Sequence, residues 1–149
     1  MTAYLPALLM TAVASVVAQS EPGYAEARAR YTECMSRLPF RFHVEGREKL
    51  AETREAAALE QLAKDYAKSD DYPEHTRYTI AHMIGQHFKD EEWFPRFAKL
   101  RGKFNKPVDS WLWVMTLRNE VDKGGEEVAV DIAQNGKKAH MRAAAITAL

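Results

Sequence analysis

An apolar pattern that returns every 35 residues constrains this chain more than any other feature. Ala58, Trp93 and Val128 correspond, as do Leu59, Phe94 and Ala129. Leu62, Phe97 and Ile132 follow, then Ala63, Ala98 and Ala133. Four positions therefore keep their register across three segments without a gap. A period of about 20–50 residues marks stacked helical repeats, in which no unit buries its apolar face alone. The expected fold class is all-α, a short α-solenoid of stacked helical hairpins.

Helix boundaries follow from periodicity and from breakers. Tyr24, Ala27, Tyr31, Cys34, Met35 and Leu38 recur at three and four, which predicts a first helix over Pro22–Leu38. Pro39 ends it, and Pro39–Val44 alternates apolar and polar, so it reads as an extended connector whose Phe40 and Phe42 plug the stack. Gly46–Lys68 is rich in strong helix formers, and the 35-residue register favours a break at Thr53, an N-cap for Arg54–Tyr66. Leu59, Leu62, Ala63 and Tyr66 form its buried stripe.

Ser69–Pro73 is a turn, and the next helix runs to Phe88 with Tyr78, Ala81, Ile84 and Phe88 on one face. Trp93, Phe97, Leu100 and Phe104 follow at helical spacing, with Pro95 forcing either a start near Phe94 or a bent first turn. Pro107–Val121 comes next, stopped by Gly124 and Gly125. Glu126–Gln134 and Lys137–Leu149 close the chain.

The final helix, Met141-Arg142-Ala143-Ala144-Ala145-Ile146-Thr147-Ala148-Leu149, resembles the second helix of a HEAT repeat. Met141 and Arg142 stand at the opening positions and Ala148-Leu149 at the closing pair. Phe94, Pro95 and Phe97 resemble the first-helix pattern of the same family. The likeness covers roughly Thr53–Leu149, and the aromatic residues of the middle helices depart from the small residues that the family prefers. It implies a HEAT-like, armadillo-like repeat stack that binds protein along the groove formed by second helices.

Residues 1–18 carry no charged side chain, and Val16-Val17-Ala18 offers small residues at the positions a signal peptidase reads. The apolar run of about 16 residues is short for a membrane span. The division expected is a signal peptide over 1–18, an N-terminal helix and connector over 19–45, and HEAT-like repeats over 46–149 that stop without a capping helix. The address expected is periplasmic or extracellular, with no stable membrane span after cleavage. Cys34 is the single cysteine, so no internal disulfide forms, and a partly buried thiol is its expected state.

Lys and Arg number 21, as do Asp and Glu, which argues against nucleic acid as a partner. The five histidines lack ligand spacing, since His82 and His87 are five apart and His75 and His82 seven apart. Paired carboxylates at Glu91-Glu92 and Glu126-Glu127 lie at helix starts, where the helix dipole accounts for them. No phosphate loop and no nucleophile motif is present. The expectation is a non-catalytic protein-interaction or scaffolding module with no cofactor and no metal.

The expected binding residues are His75, Thr79 and His82 on one layer, with Asp109 and Trp113 on the next. Trp111 and Trp113 point about 200° apart on a helix, and Trp113 is the one expected on the outer face. Self-association through Ala143, Ala144, Ile146 and Leu149 is a further expectation. Two other readings remain: an accessory N-terminal region of a longer exported enzyme, or a small-molecule-binding bundle around Trp93, Phe97, Phe104 and Trp111.

Overall fold

Backbone punctuation divides the chain into eight helices among the described residues, with no strand between them. The computed structural model describes residues 23–37, 40–69 and 74–149. The expected signal peptide over 1–18, the stop at Leu38-Pro39 and the turn at 70–73 lie outside the described residues. In chain order the helices are α1 (Tyr24–Met35), α2 (Arg41–Glu52), α3 (Ala56–Ala67), α4 (Glu74–His87), α5 (Phe94–Lys103), α6 (Ser110–Asp122), α7 (Glu126–Asn135) and α8 (Ala139–Ala148). Single 3₁₀ turns, Glu91–Trp93 and Pro107–Asp109, lead into α5 and α6.

Consecutive helices pair as four hairpins, α1–α2 through α7–α8, and the second helices α2, α4, α6 and α8 pack side by side in one row. The first helices stand further apart. A cleft of about 490 Å³ lies between α3 and α5, and one of about 560 Å³ between α5 and α7. The molecule is thus an all-α, repeat-like stack, close-packed along its second helices and splayed along its first.

The 35-residue recurrence falls on α3, the start of α5, and α7. Leu62 and Phe97 are fully buried and Ile132 is half-buried. Pro95 sits in the first turn of α5, where no intrahelical partner is lost, and the helix begins at Phe94. The break predicted at Thr53 is present, but Thr53 closes α2, Arg54 turns the chain with φ 52°, and Glu55 precedes α3.

The extended connector over Pro39–Val44 is not found. Arg41–Val44 is the first turn of α2, and the boundary drawn between 45 and 46 falls inside that helix. His43, Gly46, Arg47, Leu50 and Ala51 are its buried face. A short stretch with apolar residues at alternate positions also satisfies helical spacing, because Phe40 and Val44 are four apart; packing of α1 against α2 decides between the two. The Phe40 ring lies 5.8 Å from His43 and 6.5 Å from His75, across the starts of α2 and α4.

Two glycines set how closely helices cross. A Cβ on Gly46 would lie 2.7 Å from that of Cys34, which is buried and free. One on Gly85 would lie 2.8 Å from that of Met115, so α4 and α6 touch backbone to side chain at that point. Asn119 on α6 then donates to the Gly85 and Phe88 carbonyls at 2.9 and 3.0 Å, satisfying the C-terminal end of α4.

Most of the interior is one cluster running from Tyr31 to Leu112, with Tyr66, Phe88, Trp93, Phe97 and Phe104 as its large members. A second, smaller cluster joins Trp113, Val114 and Leu117 to Ala144, Ala145 and Ala148. Each large apolar side chain buried this way contributes about 1.5–3 kcal/mol. Three ion pairs are enclosed as well: Arg47–Asp65 at 2.8 Å, Arg77–Asp109 at 2.8 Å and Arg101–Glu120 at 2.9 Å.

Candidate functional site

The exposed side of the α4, α6 and α8 row is built by helical phase. In α4 the residues Thr76, Ile80, Ala81, Met83 and Ile84 turn inward, which leaves His75, Tyr78, His82 and Gln86 outside. In α6 the inward set is Leu112, Trp113, Val114, Thr116, Leu117, Asn119 and Glu120, which leaves Trp111 and Arg118 outside. In α8 it is Ala144, Ala145 and Ala148, which leaves Ala143, Ile146 and Thr147.

Trp111 is the centre of this face. Half its surface is open (49%), and its ring meets Tyr78 edge-on at 5.1 Å. Tyr78 in turn stacks on His82 at 6.1 Å with the planes 11° apart. On the α4 side of Trp111 a depression of about 260 Å³ is lined by His75, Arg77, Tyr78 and Val108. On the α8 side another of about 290 Å³ is lined by Val114, His140, Ala143, Ala144 and Thr147.

The start of α6 is fixed from beneath. Asp109 is buried and accepts from Arg77 at 2.8 Å and from the Lys106 backbone N–H at 2.9 Å. The Arg77 guanidinium lies 5.2 Å from the centre of the Tyr66 ring. Burial and the neighbouring Asp109 carboxylate push the Tyr66 hydroxyl up, so it stays neutral. Trp113 donates its indole N–H to the Phe104 carbonyl at 2.7 Å. Together these contacts set the rotation of α6 and hence which tryptophan faces out.

The expected binding residues divide on this basis. His75 and His82 are exposed on the face. Thr79 is half-buried beside them, its hydroxyl donating to the His75 carbonyl at 2.8 Å. Asp109 lies under the face with its carboxylate engaged by Arg77. Trp113 is corrected: it is 4% exposed and belongs to the core, and Trp111 takes the outer position. Tyr78 is also corrected, from the buried face of its helix to the exposed one. In the set expected for self-association, Ala144 is buried against the α6 cluster, whereas Ala143, Ile146 and Leu149 are exposed.

Tyr78, Val108 and Trp111 are the site residues that sequence reasoning missed. In the structure the inward residues of α4 and α6 match at an offset of 36, Thr76 with Leu112, Ile80 with Thr116 and Ala81 with Leu117, which sets Trp111 beside His75; the residue types at those positions carry no such signal. The small-molecule reading loses its shared pocket, since Trp93, Phe97 and Phe104 pack in the main core and Trp111 stands outside that cluster. Among the described residues no group of His, Cys, Asp or Glu is arranged to hold a metal ion, and no helix is long and apolar enough to cross a membrane.

Comparison with protein-family models, with curated proteins and with solved structures finds no match to this chain.

Proposed function

We propose that this chain is a non-catalytic protein-interaction module of HEAT-repeat type, which binds a partner across the exposed face of α4, α6 and α8. The observation that carries this reading is the half-exposed Trp111 held edge-on to Tyr78 at 5.1 Å over a rigid, ion-paired base. Tryptophan and tyrosine are the residues most enriched at the energetic centres of interfaces, and fixing them before binding lowers the entropic cost of association. The continuous row of second helices offers the long surface that repeat proteins use for binding. The HEAT-like features of Phe94, Pro95, Phe97 and Met141–Leu149 support the family reading. The apolar segment over 1–18 supports an exported address, so the partner would be met in the periplasm or outside the cell.

A photo-crosslinking residue placed at position 111, or at exposed Lys64 on α3, tests the reading in cells that make the protein. A discrete protein adduct from position 111 and none from position 64 is expected. Equal adducts from both positions, or none from either, would contradict it.

A further inference from the structure

We infer that Asn135 is a site of self-modification, at which the backbone nitrogen of Gly136 attacks the side-chain amide and converts it to a carboxylate when the last turn of α7 opens. The inference does not depend on the docking reading above. It concerns the α7–α8 hairpin, not the exposed face of the second helices.

Sequence and packing give the first argument. The chain has three asparagines, Asn105, Asn119 and Asn135, and of these Asn135 alone is followed by glycine. A side chain on the following residue crowds the approach of its backbone nitrogen to the asparagine Cγ, and glycine carries none. Asn119 is buried, with its amide donating to the Gly85 and Phe88 carbonyls, and Asn105 precedes Lys106. Asn135 is exposed at the last position of α7. The glycine beside it is required by the fold: a Cβ on Gly136 would lie 2.4 Å from the Ile132 carbonyl oxygen. The packing that closes α7 thus demands the residue that makes Asn135 reactive.

Geometry gives the second argument, because it sets when the reaction proceeds. Gly136 donates its N–H to the Ile132 carbonyl at 2.9 Å, and the Asn135 amide donates to Asp131 at 2.8 Å. Arg142 donates to the Gly136 carbonyl at 2.7 Å. Attack needs the Gly136 nitrogen to release its proton and to come within about 3–3.5 Å of Cγ. The bond to Ile132 withholds that proton while the turn is closed. Helix ends open more readily than helix centres, and Ala129 is the buried residue of α7, far from this end.

The chemistry needs water alone. The bond from the Gly136 nitrogen to Cγ forms and the Cγ–Nδ2 bond breaks. The amide leaves as ammonia, regaining the proton that the backbone nitrogen lost, and a cyclic imide remains. Water opens the imide at either carbonyl, which leaves aspartate or its isomer with the main chain routed through the side-chain carbon. Both products place a negative charge at the C-terminal end of α7, where the helix dipole disfavours it, one turn from Asp131. The donor that Asn135 offers Asp131 is lost as well. Modification therefore loosens the turn that joins α7 to α8.

The test ages the folded full chain in mildly alkaline buffer beside a sample unfolded in guanidinium chloride, and reads peptides by mass spectrometry. Conversion at Asn135 is expected in both, about tenfold or more slowly in the folded chain, with Asn105 and Asn119 intact in the folded chain. Arg142→Ala frees the Gly136 carbonyl and is expected to speed conversion in the folded chain about threefold or more. The variant Asn135→Asp is expected to melt about 2–4 °C lower than the parent. A folded chain that keeps its Asn135 amide after the unfolded sample has converted fully would overturn the site. Conversion equally fast in both samples, or unaltered by Arg142→Ala, would overturn the control by the closed turn. An unchanged or higher melting temperature in Asn135→Asp would overturn the loosening of the hairpin.

Discussion

The first six helices and the last two are built differently. Between α1 and α6 the interior is filled by large side chains, Tyr66, Phe88, Trp93, Phe97 and Phe104 among them, and three ion pairs are locked inside. The α7–α8 hairpin meets the stack through alanines: Ala144, Ala145 and Ala148 lie against Trp113, Val114 and Leu117. It is held also by side chains that reach backbone: Lys138 and His140 donate to the Asn105 carbonyl at 3.0 and 2.9 Å. Val128, Val130, Ile146 and Leu149 remain exposed on it. The difference teaches that one repeat geometry is compatible with two interiors. Bulky residues and buried charges fill the first, and alanines of α8 laid against Trp113, Val114 and Leu117 fill the second.

The largest expected effect separates the two regions by charge. Arg101→Ala leaves Glu120 buried without its partner and is expected to cost about 3–5 kcal/mol by urea denaturation. The double variant Arg101→Met with Glu120→Leu removes both charges and is expected to recover most of that loss. A single variant that costs under about 1 kcal/mol would show that Glu120 is solvated and that the first region holds no enclosed charge at that point.

Next comes packing. Phe97→Ala is expected to cost about 3–5 kcal/mol, since the residue is fully buried in the main cluster. Ala145→Gly, equally buried in α8, is expected to cost only about 1–2 kcal/mol through helix propensity and one lost methyl. Equal losses would erase the distinction between the two interiors.

A pH titration sharpens it further, because the affected network belongs to the first region. Asp65 accepts from Tyr31 at 2.8 Å, from Arg47 at 2.8 Å and from Gln61 at 2.9 Å. Burial first, and then the adjacent Asp65 carboxylate, push the Tyr31 hydroxyl up to about 12. A tyrosine in the unfolded chain ionises near about 10. The folded state therefore keeps its proton longer, so the stability from this group is complete below about pH 10 and lost as pH rises toward 12. Tyr66 is shifted in the same direction. Tyr31→Phe is expected to reduce, without abolishing, the fall in melting temperature between pH 10 and pH 12; an unchanged fall would place the alkaline sensitivity elsewhere.

The smallest effect concerns the turn between α2 and α3. Arg54 holds a left-handed φ of 52°, a conformation that costs a residue with a side chain about 1–2 kcal/mol. Arg54→Gly is expected to stabilise the protein by about 0.5–1 kcal/mol in thermal unfolding, and a loss would mean that the arginine side chain makes a contact worth more than the strain.

Helix number, the hairpin repeat and the Thr53 break were legible in the sequence, because periodicity and breakers are local. Helix rotation was not. The phase of α6 depends on Arg77, 32 residues before Asp109, and on a carbonyl at Phe104 that receives the Trp113 indole. Tyr78 satisfies helical spacing with Ala81 and Ile84, yet it is exposed, with its ring edge-on to Trp111 of α6. Nothing local marks Arg47, Asp65, Arg101 and Glu120 as interior, because each is enclosed only with a partner 18 or 19 residues away.

The functional account depends on Trp111 facing outward and Trp113 inward, and acrylamide quenching of tryptophan emission tests this directly. Trp93 and Trp113 are 6% and 4% exposed against 49% for Trp111. Trp111→Phe is expected to remove most of the quenchable emission, leaving a blue-shifted, protected remainder. Retention of strong quenching in Trp111→Phe would mean that α6 is rotated and would contradict the proposed binding face.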